Sequence, residues 1–287
     1  MFTFDSQKNR ALVMGILNVT PDSFSDGGLY NEVQTALNHA HEMIQQDALK
    51  NALKMQNDGA DIIDIGACST APKTEPVPLN EELSRLKKVF PLIPSKLGVP
   101  VSVDTFNKEA AVFALQNGAS IVNDESGRFD EEMAAAIKKY GAGWIFMHTG
   151  GMSSGETAVY TGGVVACVLS FFEEMKNKAL SCGIPKECLC YDYGIGFGKT
   201  RADDLELLKN TGAFSNYSPL LVGVSRKRVI GETTGVKVPK ERVAGSVAAG
   251  SIAAFLGAGI LRAHDVKETA EAVRIAASIK QGSIYNG

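Results

Sequence analysis

Short apolar runs rich in valine and isoleucine recur along the whole chain, and the stretches between them repeat their apolar residues with the period of a helix. The runs are Ala11 to Val19, Ala60 to Gly66, Val99 to Val103, Ala119 to Val122, Gly143 to Met147, Glu187 to Tyr191, Leu220 to Val224 and Gly259 to Leu261. Most are continuous rather than alternating in polarity, the pattern of parallel strands covered on both faces. The helical stretches include Glu81 to Leu97, Lys108 to Asn117, Glu131 to Tyr140, Val164 to Ser181, Ala202 to Leu208, Glu241 to Leu256 and Glu268 to Lys280. Such units, joined by right-handed crossovers, predict an α/β fold of the closed (β/α)8 barrel type, a TIM barrel, as a single domain over residues 1–287. An open dinucleotide-binding sheet would want a glycine-rich turn after its first strand, and Asn18-Val19-Thr20-Pro21-Asp22 is not one. One stretch stands out: Asn31 to Asn57 reads as a helix about twice the mean length of 11 to 12 residues, long enough to divide in two.

Composition narrows the function classes. With 45% hydrophobic and 21% charged residues, the 287-residue chain can bury a large core. A formal net charge of -3 excludes a general binder of nucleic acid or of anionic membranes, so an anionic ligand must be met by local cations. Met1 to Arg10 lacks the apolar run of a signal peptide, and no stretch approaches the roughly 20 apolar residues of a membrane span. A cytoplasmic protein without a membrane partner is expected. The five cysteines are odd in number and show no CxxC pairing, so they are expected to be ordinary reduced thiols.

Barrels of this class build their active sites at the C-terminal ends of the strands, so the residues just after each apolar run carry the functional information. In chain order these residues are Asn18; Cys68 with Ser69 and Thr70; Asp104; Asn123 and Asp124; His148; Asp192; Ser225 with Arg226 and Lys227; and Arg262 with His264. Bland readings stand beside the chemical ones. Asp104 could cap the next helix, and His148 could be a satisfied packing residue. His39 and His41 sit in the long helix as surface residues, and Asp64 is a barrel-interior group or a support for its neighbours. Three features resist such readings. The loop from Asn18 to Gly28 is dense in turn formers and carboxylates and suits a lid. Arg226, Lys227 and Arg228 after the seventh strand, with Arg262 and His264 after the eighth, occupy the usual place of a barrel phosphate site. Asp104, Asn123 and Asp192, from three other strands, offer the mix of acids and amide that pairs with a flat heterocycle, with a metal cage as the competing use.

The chain also resembles the dihydropteroate synthase family over nearly its whole length. The matching segments run from Met14 to Gly28, Gly59 to Gly66, Ser102 to Thr105, Val122 to Asp124, Gly194 to Lys199, Ser225 to Lys227 and Arg262 to Val266. The first is very specific. The resemblance implies a transferase of folate biosynthesis that condenses 6-hydroxymethyl-7,8-dihydropterin diphosphate with p-aminobenzoate, giving 7,8-dihydropteroate and pyrophosphate. It implies Asp104, Asn123, Asp192 and Lys227 as the pterin-binding set, with Asp104, Asp192 and Lys227 catalytic. Asn18 would serve a Mg2+ ion, Arg262 and His264 the diphosphate, and Thr70, Pro72, Phe197 and Ser225 the p-aminobenzoate. A homodimer is typical of that family. This chain departs from its pattern at Ala71, where the family has a loop arginine whose charge Lys73 could replace, at Tyr193 in place of proline, and in the length of its first helix. Two rivals stay open: a pterin-binding methyltransferase acting with a corrinoid protein, and a pterin-binding paralogue without turnover.

Overall fold

The computed structural model describes residues 1–4, 9–19, 33–68, 77–151 and 157–285, with residues 33–44 described as helical backbone only. Eight strands alternate with helices: β1 (Leu12–Asn18), α1 (Val33–Asn57), β2 (Ile62–Gly66), α2 (Leu79–Val89), β3 (Val101–Asp104), α3 (Lys108–Gln116), β4 (Ile121–Asp124) and α4 (Glu131–Tyr140). They continue as β5 (Gly143–Met147), α5 (Val164–Ser181), β6 (Leu189–Asp192), α6 (Arg201–Lys209), β7 (Leu220–Val222), α7 (Arg228–Thr234), α8 (Val243–Leu256), β8 (Ile260–Ala263) and α9 (Val266–Gln281). The strands close in sequence order, and every pairing is parallel, β1 against β8 included. This is the expected (β/α)8 barrel.

Alternation along each strand splits the core into two bodies. Residues facing outward, among them Val13, Ile63, Val103, Val122, Trp144, Tyr191, Leu220 and Leu261, pack under the helices in one large cluster. Residues facing inward form a smaller cluster of Met14, Ile62, Ile121, Ile145, Cys190, Leu221 and Ile260, which fills the lower barrel. Phe4 completes that inner cluster, with Phe2 and Leu12 packed against it. The rings of Phe2 and Phe4 meet edge to face at 5.1 Å, and a side chain at Gly143 would stand 2.8 Å from each. The bottom of the barrel is thus stopped with apolar side chains, and any ligand must enter from the top.

Two helices differ from expectation. The Glu81 to Leu97 stretch yields only α2, which ends at Val89, with a separate 3-10 turn at Pro94–Lys96. Pro91 and Pro94 lack the N–H that would continue the α-helical ladder. Helix α7 was not expected. Its sequence RVIGETT is seven residues of mostly β-branched and glycine character, poor helix formers on their own, and it ends at Gly235 with φ of 76°. The long first stretch is a single helix of 25 residues rather than two pieces. No described helix is long and apolar enough to cross a membrane.

The two bodies of the core make a stability prediction. Leu221→Ala, in the fully enclosed inner cluster, should lower the free energy of unfolding by about 2 to 5 kcal/mol. Ile279→Ala, on the exposed side of α9, should change it by less than about 0.5 kcal/mol. Chemical denaturation of both variants against the parent checks the pair.

Candidate active site

Inward-facing positions change character above the apolar plug. One step up each strand the interior holds Asp64 on β2, Ser102 and Asp104 on β3, Asn123 on β4, Asp192 on β6 and Arg262 on β8. Arg262 reaches across the barrel: its Nε donates to Asp64 Oδ2 at 2.7 Å and its Nη2 to Asp104 Oδ2 at 2.6 Å. Asn123 Nδ2 donates to the same Asp64 oxygen at 3.1 Å. Asp192 Oδ1 accepts from the N–H of Gly194 at 2.7 Å.

Above this floor opens a cavity of about 450 Å³. Its wall carries Asn18, Asp104, Phe197, Ser225, Lys227, Arg262 and His264, and its outer rim includes Arg201, Arg228, Lys240 and Arg242. Asn123 and Asp192 lie in the polar layer beneath rather than on the wall. Two glycines make room here. A methyl group on Gly66 would stand 3.3 Å from Asp104 Oδ2 and 3.6 Å from Asn18 Oδ1. One on Gly223 would stand 3.7 Å from Lys227 Nζ and 4.0 Å from Asp192 Oδ2, so the lysine and the acid face each other over a bare backbone.

The turn after β7 aims Lys227 inward. Arg226 adopts a left-handed conformation with φ of 61°, uncommon outside glycine. Its N–H donates to Ser246 Oγ at 2.9 Å, its carbonyl accepts from Arg242 Nη1 at 2.9 Å, and its guanidinium grips Asp265 with Nε to Oδ2 at 3.0 Å. Clamped this way, the turn sends Lys227 Nζ to the carbonyl of Ile195 at 2.6 Å and to 4.8 Å from the centre of the Phe197 ring. His264 Nδ1 lies 3.1 Å from Ser225 Oγ.

Electrostatics follow from crowding. Burial raises the pKa values of Asp104 and Asp192; nearby Glu125 adds to the first, while Lys227 opposes the second. Burial lowers that of Lys227 against the pull of Asp192 and Glu125. For Arg262 burial works against the charge, but Asp64, Asp104 and Glu125 outweigh it and hold the guanidinium ionised. His264 is pushed down to about 4 by burial and by Arg226 and Arg262, so it is neutral at pH 7.

Several expectations need correction. The cations after β7 do not act as a set: Arg226 is spent on Asp265 and Arg228 is exposed at the rim. Arg262, expected at the diphosphate end, lies on the cavity wall and in addition binds the acids of the floor through Nε and Nη2. His148 faces outward, where its ring lies 5.2 Å from that of Phe171, so packing describes it. It is also part of an unforeseen junction. The fully buried Lys199 donates to the carbonyls of His148 and Phe197, both at 2.9 Å, and stands 3.1 Å from His148 Nδ1. That junction ties the loop bearing Phe197 to the end of β5. Asp124 also faces outward, accepting from Trp144 Nε1 at 3.2 Å. Asp104 caps no helix; Asn107 precedes α3 without a side-chain cap. Thr70, Pro72, Ala71, Lys73 and the loop from Pro21 to Gly28 lie outside the described residues, as do the side chains of His39 and His41. All five cysteines are free, and Cys68 is on the cavity wall.

A metal ion has limited support from the chain itself. Among the described residues no group of three or more His, Cys, Asp or Glu could hold one. The amide oxygen of Asn18 on the cavity wall suits an ion of the magnesium type, which commonly keeps water and substrate phosphate oxygens around one or two protein ligands.

Comparison with known proteins fixes the family. A family model described as pterin binding enzyme matches residues 14–48 and 44–264. The chain belongs to that family of pterin-binding barrels. Dihydropteroate synthase of Escherichia coli (strain K12) is 41% identical over 265 residues, covering 92% of this chain and 89% of that protein. Two solved structures of Xanthomonas albilineans dihydropteroate synthase, one with 4-aminobenzoic acid and one with 7,8-dihydropteroate, superpose with TM-scores of 0.84 and 0.81. They share 38% and 36% identity, and each comparison covers 97% of this chain and 95% of the other. Within the pterin-binding enzymes, the chain is of the dihydropteroate synthase type.

The bare backbone over the floor gives a test of the site's position. Gly223→Ala adds a methyl group at ordinary contact distances, so stability should change by about 0.5 kcal/mol or less. Catalytic efficiency should fall by roughly tenfold or more, because small misplacements of reacting groups are costly. Melting curves and steady-state kinetics on one preparation check both halves.

Proposed function

We propose that this protein is a dihydropteroate synthase, joining p-aminobenzoate to 6-hydroxymethyl-7,8-dihydropterin diphosphate and releasing pyrophosphate. The observation that carries the reading is the meeting of acids, amide and Lys227 under one cavity whose upper wall holds His264 and Ser225. A flat heterocycle with N–H donors and ring acceptors finds its complements in Asp104, Asn123, Asp192 and Lys227. The diphosphate then extends toward Asn18, Arg262 and His264. Phe197 and Ser225 border the place left for p-aminobenzoate, and family likeness assigns Thr70 and Pro72 to the same substrate.

In the reaction the bond between the pterin methylene carbon and the diphosphate oxygen breaks, and the amine nitrogen of p-aminobenzoate bonds to that carbon and loses a proton. Asp192 and Asp104 favour the positive charge that develops on the pterin as the bond loosens. Lys227, held between the Ile195 carbonyl and the Phe197 ring, is placed to donate to an acceptor atom of the same ring system. The aniline attacks neutral, so placement against Phe197 matters more than a strong base. Asn18 would hold a magnesium ion, which would supply charge neutralisation for the departing pyrophosphate. A homodimer in the cytoplasm completes the proposal, on family likeness. The methyltransferase rival has no use for cations at the ends of β7 and β8.

Release of pyrophosphate on mixing protein, dihydropterin diphosphate, p-aminobenzoate and magnesium tests the reading. Release without p-aminobenzoate, or none under any condition, rejects it, and the second outcome supports the paralogue without turnover. Lys227→Ala should reduce kcat/KM by about 10²- to 10³-fold with an unchanged unfolding midpoint, since it removes a preorganised site charge.

His264 gives a pH-dependent test. Its folded pKa of about 4 lies below the ordinary histidine value because of burial and two arginines. A phosphate anion beside the ring favours the protonated form and raises that value, so binding takes up a proton between about pH 4 and 6.5. Calorimetry of pyrophosphate binding near pH 6, in buffers of different ionisation heat, should show more proton uptake in the parent than in His264→Gln. Equal uptake places the phosphate elsewhere.

A further inference from the structure

Asn123 and Asp124 are not the last chemically capable residues at the end of β4. The next residue continues the alternation: Asn123 turns inward to Asp64, Asp124 outward to Trp144, and Glu125 inward again onto the cavity wall. The Glu125 side chain is only 7% exposed. Its Oε1 lies 3.6 Å from Arg262 Nη1, and its Oε2 is buried without a hydrogen-bond partner.

Stability does not explain an acid at this place. A buried carboxylate oxygen without a partner is costly, and an apolar side chain of similar size would cost less. Arg262 does not require it either, because Nε and Nη2 are already matched by Asp64 and Asp104 at 2.7 and 2.6 Å. Burial, with Asp192 and Asp64, raises the pKa of Glu125, and Arg262 and Lys227 oppose that rise. What remains is an unpartnered strong acceptor at the cavity wall, beside the groups that meet the heterocycle.

We propose that Glu125 is a further substrate-reading residue of this site, whose carboxylate accepts a hydrogen bond from an amino or ring N–H group of the bound pterin. The inference rests on the dihydropteroate synthase reading and extends it by one contact. A dihydropterin carries donors of this kind on its exocyclic amine and on its ring nitrogens. An ionised carboxylate only accepts, so Glu125 favours rings that present a donor there and disfavours those that present an acceptor. It acts on the pterin and leaves the p-aminobenzoate end alone.

Glu125→Leu and Glu125→Gln, made in the full chain, test this. Equilibrium binding of 6-hydroxymethyl-7,8-dihydropterin is measured by calorimetry, and KM is measured for each substrate. Glu125→Leu should weaken pterin binding about tenfold or more, the loss expected for a hydrogen bond to a charged group. Glu125→Gln, which keeps one carbonyl oxygen, should lose less. The KM for p-aminobenzoate should stay as in the parent, and the unfolding midpoint of Glu125→Leu should not fall. Unchanged pterin affinity in Glu125→Leu overturns the assignment, as does a Gln variant no better than the Leu variant. A parallel rise of both KM values with a lower midpoint also overturns it, in favour of a structural role. A parent protein that binds no pterin removes the functional reading and this inference together, whereas a parent that binds, with variants that match it, removes the inference alone.

Discussion

Burying a guanidinium inside a closed barrel is tolerable only where its charge is matched at short range, and Arg262 meets that condition by spanning from β8 to carboxylates on β2 and β3. The dependence runs both ways. Asp64 and Asp104 are themselves deeply buried, and without the guanidinium two acids on neighbouring strands would crowd the barrel interior with no cation to match them. Asp64 in turn fixes Asn123, so residues on four strands hold their positions through one cation. The upper half of the barrel interior is in this sense a single ionic structure.

That structure can exist because the lower half is so different. Phe4 and the inner apolar cluster exclude water from below and set a packed surface on which the polar layer rests. Four strands make the transition in two residues, from Ile62 to Asp64, Ile121 to Asn123, Cys190 to Asp192 and Ile260 to Arg262. A one-residue slip in any strand would turn its polar group out under the helices, so register and site are specified by the same alternation.

Much of this was legible in the chain. Every strand boundary lies within two residues of the expected one, since continuous apolar runs between helical periods admit few alternatives. The convergence of Asn18, Asp104, Lys227, Arg262 and His264 followed from the rule that strand ends carry the chemistry. What was missed depends on direction rather than position. The same rule ranked His148 and Asp124 beside Asp104, yet parity sends the first two outward. Glu125 could have been found by counting two residues on from Asn123. The pairing of Arg226 with Asp265 and the buried Lys199 junction could not, because each depends on long-range approach: Asp265 comes from the end of β8, and His148 precedes Lys199 by 51 residues. Helix α7 escaped because β-branched residues and a glycine carry a helical turn only when tertiary contacts hold it.

The charge layout also bears on the direction of the chemistry. The floor sets Asp64, Asp104, Glu125 and Asp192 against Arg262 and Lys227, so negative groups exceed positive ones there. Toward the mouth the order reverses. Arg201, Arg228, Lys240 and Arg242 all border the cavity; Arg201 is paired with Asp204 at 2.8 Å, Arg242 donates to backbone carbonyls, with Nε to Val236 O at 2.9 Å, and among the described residues no carboxylate pairs with Arg228 or Lys240. A reaction that leaves positive charge on a deeply held ring and sends a pyrophosphate anion outward moves each charge toward its complement. The gradient is fixed by the fold before substrate arrives, and it would oppose a reaction of the reverse polarity. Burial raises the pKa values of Asp104 and Asp192, with Glu125 and Asp64 adding to the first, and N–H donors of a bound pterin would favour the ionised acids where the chemistry needs them.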